Sequence, residues 1–201
     1  LKDNPKFLHY QPYHALITNI QQDHLDIYGN IENIFKAFQK LVKIVPEKGS
    51  LILNNNNLYT AELAKESKSK IITFSKNGNV WSSNPKLNPE GLLFVVYNDS
   101  KRLGEINSRL LGKHNVENIL AAIAVTLELK IPFSKIKQAV AEFKGVKRRL
   151  EIIYQKNALT LVDDFAHNPD KVLASLSALR SHFPKHFIIA VFDPRTGSSR
   201  R

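Results

Sequence analysis

The sequence predicts an α/β fold: a mostly parallel sheet with a small antiparallel sheet and helices. Two observations carry that expectation. Short apolar runs at 14–20, 50–54 and 70–75 alternate with segments of helical spacing at 31–44 and 58–67. Strand–helix–strand alternation marks a parallel sheet covered by helices. From 76 to 111 the texture changes, and Asn-Gly and Asn-Pro turns separate short strands around 79–82, 91–98 and 103–110. That pattern reads as antiparallel hairpins.

Taken in order, residues 14–20 form a buried parallel strand. Residues 23–29 are the loop at its C-terminal end, where ligands of open α/β sheets sit. Ile31, Ile34, Phe35, Phe38, Leu41 and Val42 fall on one helical face, and Pro46 and Gly49 end that helix. After the strand at 50–54, the run Asn54 to Asn57 reads as a turn before the helix at 58–67. Two further helices are expected at 115–128 and 133–143, the second closed by Gly145. A domain boundary near Gly145 to Lys147 then divides the chain into 1–146 and 147–201. Beyond it come a strand pair at 150–155 and 158–163, a helix at 169–182 opened by Pro169, and an apolar strand at 186–192.

Composition narrows the class. With 201 residues, 43% apolar and 23% charged, the chain can bury a core of ordinary size. It has no apolar run near membrane-spanning length and no opening signal segment. Cysteine is absent, which excludes disulfides and thiol catalysis. Methionine is absent too and residue 1 is Leu, so the chain reads as a fragment of a longer protein. The net charge of +11, from 29 Lys and Arg against 18 Asp and Glu, favours anionic partners. Lys65, Lys68, Lys70 and Lys76 are scattered, and aromatic residues do not interleave with them as base-stacking platforms would. Solvated lysines on exposed faces account for most of this charge, and neither nucleic acid nor a membrane is expected as a partner.

The most informative stretch is Leu111-Gly-Lys-His-Asn-Val-Glu-Asn-Ile-Leu-Ala-Ala122. On a helix, His114 and Asn118 lie four apart and Asn115 and Asn118 three apart, so they share a face. An Asn amide matches the adjacent donor and acceptor of a purine edge; the alternative is a plain helix cap. A second block runs from Lys147-Arg-Arg-Leu-Glu151 to Asp163-Asp-Phe-Ala-His-Asn-Pro-Asp170, and a third is Asn19-Ile-Gln-Gln-Asp-His-Leu-Asp26. In order and spacing, these three blocks resemble the Mur ligase family along essentially the whole chain. The resemblance implies part of a central ATPase domain followed by a Rossmann-like C-terminal domain. It also implies an ATP- and Mg2+-dependent, cytoplasmic enzyme that joins an amino acid or peptide to UDP-N-acetylmuramate through an acyl phosphate.

The same resemblance assigns roles by position. His24 matches the histidine that helps hold magnesium, with Asp23 and Asp26 able to orient it. Asn118 matches the adenine contact, flanked by His114 and Asn115. Arg149 matches an arginine of the nucleotide site, and its alternative is an ion pair with Glu151 or Asp163. Asp164 matches the aspartate at the ribose, where a carboxylate suits a diol. His167 and Asn168 precede a helix N-terminus that can receive an anion, and their counterparts face the reaction centre; Asp164 and His167 are the catalytic candidates. Asn168 and Arg195 are the candidate substrate contacts. Arg195 lies in the turn after residue 192, where a guanidinium can fork onto a carboxylate; the alternative for this turn is a basic tail.

Within the family, Lys6 to Pro12, Lys147 to Glu151, Asp164 to His167 and the loop from Asp193 look most like members that add an L-alanyl-γ-D-glutamyl-meso-diaminopimelate tripeptide during peptidoglycan recycling. The alternative amine is L-alanine, as in first-step biosynthesis. Asn168 departs from the His-His-Pro form usual in both groups. Gln39, with Lys36 and Lys40 beside it, falls where some members carry a modified lysine, and no modification is inferred. No Gly-x-x-Gly-Lys-Thr/Ser phosphate loop occurs, and Lys113 is not part of one. The chain by itself is accordingly expected to be inactive and to bind ATP weakly. A non-catalytic module on a Mur-like scaffold would also account for the missing loop.

Overall fold

A computed structural model describes residues 5–22, 25–83, 85–157, 159–167 and 169–193. His14–Ile17 (β1), Ser50–Asn54 (β2) and Lys70–Phe74 (β3) pair in parallel, β2 in the centre. All five residues of β2 are buried, which is why its sequence is continuous Leu-Ile-Leu rather than alternating. The sheet has seven strands in the order β1-β2-β3-β4-β6-β5, where β4 is Val80–Ser82, β5 is Lys86–Asn88 and β6 is Gly91–Asn98; Lys101–Ser108 (β7) pairs with β6. Both β4 and β5 run antiparallel to β6. Glu151–Lys156 (β8) and Leu159–Asp163 (β9) form a separate antiparallel pair. The mixed α/β class, mainly parallel with a small antiparallel sheet, is as the sequence predicts.

Helices fill the intervals. Leu25–Tyr28 (α1) is a short turn of helix inside the segment expected to be a loop. Ile31–Ile44 (α2) begins where the Asn30 side chain accepts the Asn33 N–H at 2.9 Å, and it buries Ile34, Ala37, Leu41 and Val42. It ends at Val45, whose extended backbone is what a following proline demands. Gly49 serves a different need: a Cβ there would fall 2.0 Å from the Tyr13 carbonyl oxygen. Leu58–Ala64 (α3) is capped by Asn57 and stops three residues before the expected end, in a tight turn where the Lys65 N–H bonds back to Glu62. His114–Glu128 (α4), Phe133–Glu142 (α5) and Pro169–His182 (α6) complete the set.

The contacts gather the chain into two units. One holds Leu1–Ser82, Val96–Gly104 and Glu117–Phe133; the other holds Ser83–Val95, Glu105–Val116 and Ser134–Arg201. The first has a core built from Ile17, Ile20, Val42, Leu51, Leu53 and Leu63 among others. The second has a smaller cluster of Leu111, Leu150, Ala178 and Phe183, flanked by Ile152, Val162 and Leu179. No helix among the described residues is long and apolar enough to cross a membrane.

Two expectations about strands need correction. The sequence reading lacked β5, a three-residue strand too short to show alternation. Conversely, 186–192 carries strand-forming residues but forms no strand, and Phe187 and Val191 are 90% and 94% exposed. A strand exists only with a ladder partner, and among the described residues β8 and β9 are paired only with each other.

Leu53, 1% exposed, and Leu58, 86% exposed, test the core assignment. Leu53→Ala should cost about 2–5 kcal/mol in urea unfolding, whereas Leu58→Ala should stay within about 0.5 kcal/mol. Equal effects would refute the assignment. A pH prediction follows from Glu66. Hydrogen bonds from Lys43 and then Gln39 hold its carboxyl below the usual glutamate value. The charged form is favoured in the fold, so this contribution is present at neutral pH and is lost as pH falls through the folded pKa. A carbon-detected NMR titration should give a Glu66 midpoint below the ordinary glutamate value; a midpoint at or above that value would contradict the arrangement.

Candidate functional site

The C-terminal ends of the parallel strands carry a polar cluster. The Asn run, read as a turn, has a separate task at each position. Asn54 donates through Nδ2 to the Thr18 carbonyl at 3.0 Å and to Glu117 Oε2 at 3.2 Å. Its Oδ1 receives the Asn56 N–H at 2.9 Å. Asn55 donates to the Lys76 carbonyl at 3.0 Å, and Asn57 caps α3 while donating to the Ile20 carbonyl at 3.1 Å. Asn56 reaches Ser75 Oγ at 2.7 Å and Glu117 Oε1 at 3.3 Å, and Ser75 Oγ donates to the same oxygen at 2.9 Å. One carboxylate in the first turn of α4 therefore receives three donors from the ends of β2 and β3. Sequence reasoning passed over Glu117; an acidic residue in a first helical turn was the available signal.

Beside α1, a cavity of about 410 Å³ is lined by Tyr28, Asn33, Lys36 and Lys40 among others. Its size is within the range of small-molecule sites. Gln39, the position compared with a modified lysine, donates instead to Glu66.

At the head of α4, Asn115 donates through Nδ2 to the Leu111 carbonyl at 2.7 Å, and its N–H bonds to the Gly112 carbonyl at 3.0 Å. Part of its amide is thus spent on closing the turn. His114 and Asn118 are both exposed, four residues apart on the same helix. Gly112 has φ +92°, and a Cβ there would fall 2.5 Å from His114 Cε1 and 3.3 Å from Ala178 Cβ, so only glycine fits.

The second unit builds its site around a strained turn. Arg148 and Leu150 both have left-handed backbones, φ 59° and 48°, with Arg149 between them. Such conformations cost roughly 1–3 kcal/mol each and persist only where neighbours over-determine them. Here the Arg148 N–H donates to Glu151 Oε2 at 2.8 Å and the Arg148 carbonyl accepts the Phe165 N–H at 2.9 Å. The Leu150 N–H donates to Asp164 Oδ2 at 2.8 Å. Both guanidinium groups lie over the Phe165 ring, 4.9 Å away for Arg148 and 5.7 Å for Arg149. The ion pair considered for Arg149 belongs to its neighbour: Arg148 Nε lies 3.7 Å from Asp163 Oδ2.

Asp164 Oδ1 also receives the Ala166 N–H at 2.8 Å and the Ser175 hydroxyl at 3.1 Å. A carboxylate has about four acceptor positions, and three are occupied. A ribose diol would have to share or displace one of these donors. His167 donates from Nδ1 to the Phe165 carbonyl at 3.0 Å, since a carbonyl only accepts. In the neutral ring that bond puts the lone pair on Nε2. The structure thus joins Arg149, Asp164 and His167 in one loop system. His24 with Asp23, Asn168 and Arg195 lie outside the described residues. No group of three or more His, Asp or Glu residues forms a metal cradle among the described ones, so the magnesium expectation stays with His24.

Comparisons with known proteins place these features. The pattern of the Mur ligase middle domain matches residues 4–126, and that of the Mur ligase, glutamate ligase domain matches 148–200. The chain belongs to the Mur ligase family. It is 39% identical over 194 residues to a UDP-N-acetylmuramate–L-alanine ligase of Clostridium acetobutylicum, covering 96% of this chain and 42% of that protein. The crystal structure of the UDP-N-acetylmuramate-alanine ligase of Thermotoga maritima superposes with a TM-score of 0.77 at 27% identity, over 89% of this chain and 40% of that one. The UDP-N-acetylmuramate:L-alanyl-γ-D-glutamyl-meso-diaminopimelate ligase of Neisseria meningitides gives a TM-score of 0.63 at 30% identity, over 71% and 44%. The chain spans less than half the length of these Mur ligases.

Asp164→Asn tests the tie that holds this Mur ligase turn. An amide nitrogen cannot accept, so one donor is left unsatisfied. Urea unfolding should show a loss of about 1–3 kcal/mol, with a smaller loss, about 0.5–1.5 kcal/mol, for Ser175→Ala. Unchanged stability in Asp164→Asn would remove the tie from the account.

Proposed function

We propose that the protein containing this chain is an ATP-dependent ligase that joins L-alanine to the carboxylate of UDP-N-acetylmuramate. What carries the choice of amine is the 39% identity to a UDP-N-acetylmuramate–L-alanine ligase across 96% of the chain. The tripeptide expected from the loop sequences has less support: the tripeptide ligase of Neisseria meningitides and a murein peptide ligase of Psychrobacter arcticus superpose with TM-scores of 0.63 and 0.65, against 0.77 for the alanine ligase. In the reaction, the muramoyl carboxylate attacks the γ-phosphate of ATP, giving an acyl phosphate and ADP. The alanine amine then attacks the acyl carbon, phosphate leaves, and an amide bond remains. Bound magnesium would neutralise phosphate charge in the first step.

The residue roles are part of the same proposal. Asn118 contacts adenine, with His114 and Asn115 beside it. Arg149 offers a cation to the nucleotide, and Asp164 accepts at most a ribose hydroxyl while holding the arginine turn. His167 presents Nε2 toward the reacting groups, where it can hold a proton of the incoming amine. His24 holds magnesium, and Asn168 and Arg195 contact the substrate. The working division of the chain is 1–146 and 147–201, supported by the two family patterns that lie on either side of it.

The test is a ligation assay with the full-length protein, UDP-N-acetylmuramate, ATP and magnesium, with L-alanine or the tripeptide in separate reactions and the products weighed. The expected product is the alanine adduct with one ADP per amide. A tripeptide adduct without an alanine adduct would reverse the choice of amine; neither adduct and no ADP would favour a non-catalytic module.

A further inference from the structure

His182 is 1% exposed and is used at both ring nitrogens. Nδ1 lies 2.6 Å from the Asn88 carbonyl, which only accepts, so Nδ1 carries the hydrogen. Nε2 is then the lone-pair nitrogen, and it receives the Gly112 N–H at 2.8 Å. The ring is thus held as a single neutral tautomer. At the last residue of α6, it ties the end of β5 to the turn that opens α4.

That turn has little freedom otherwise. The Gly112 backbone sits between the His114 ring and Ala178, with no room for a Cβ. Its carbonyl receives the Asn115 N–H, while the preceding Leu111 carbonyl receives the Asn115 side chain. Leu111 itself is anchored beside Leu150, Ala178 and Phe183. The Gly112 N–H is the donor that the helix cannot satisfy internally, because it precedes the first turn. Gly112 is buried, so without His182 this donor has no acceptor.

We infer that His182 is a positioning residue for the nucleotide site: through its bond to Gly112, it fixes the turn that sets His114 and Asn115 at the head of α4. The inference rests on the reading of this helix start as part of an ATP site. It concerns a residue that touches no reacting group and acts only through the Gly112 backbone.

Two substitutions separate positioning from general stability. In His182→Gln, the side-chain oxygen can reach the Nε2 position and accept from Gly112, while the donor to Asn88 is lost. In His182→Asn, the amide nitrogen can replace Nδ1 toward Asn88, while the acceptor for Gly112 is lost. Calorimetric titration of the full-length protein with ATP and magnesium should give a Kd about tenfold higher for His182→Asn and within about twofold of wild type for His182→Gln, with the KM for the amine unchanged. Equal ATP affinities in the two variants, whether both normal or both reduced, would overturn the inference. If wild type binds no ATP, the nucleotide reading itself fails, and the inference with it. A measurement on the unsubstituted protein guards against variants that do not fold. Saturating ATP should slow hydrogen exchange of the Gly112 amide at least about threefold, because coupling between two sites is reciprocal. An unchanged rate would overturn the inference.

Discussion

Two carboxylates that each gather three hydrogen-bond donors organise the ends of β2 and β3 and the arginine turn. Glu117 receives Asn54, Asn56 and Ser75 at the carboxyl ends of β2 and β3. Asp164 receives Leu150, Ala166 and Ser175 around the arginine turn. Neither carboxylate depends on a buried cation for these bonds; neutral N–H and O–H donors satisfy the charge. Hydrogen bonds to a charged acceptor are stronger than neutral ones, and leaving one partner unmade is costly. The geometry of each site is therefore fixed by the need to keep these sets complete.

This need also explains why strain is tolerated beside Asp164. Two left-handed residues flank Arg149. They stay in place because Glu151, Asp164 and the Phe165 backbone hold the turn from three sides. The same turn lays two guanidinium groups over one aromatic ring, which orders cations while leaving them accessible.

His182 extends the principle to the backbone. The amide before a helix cannot be satisfied by the helix, so a buried imidazole from another element accepts its hydrogen bond. Glycine at 112 allows the close approach, and Asn115 completes the turn from the other side.

Periodicity and local chemistry alone determined much of this. Ile31–Ile44, Ser50–Asn54 and Pro169–His182 have the bounds that helical spacing, a continuous apolar run and a first-turn proline require. Those signals are local, and burial reinforces them. The ordered blocks around His24, Asn118 and Asp164 indicated the family, because a nucleotide site draws on short segments with characteristic residues. Tertiary structure decided what depends on partners far along the chain. It laid both Arg148 and Arg149 over Phe165 and gave the ion pair with Asp163 to Arg148. It turned an asparagine run from a simple turn into four distinct contacts, and it gave Glu117 and His182 hydrogen-bond partners far along the chain. It also left 186–192 without a ladder, because a strand requires a neighbour and no pattern within a segment supplies one.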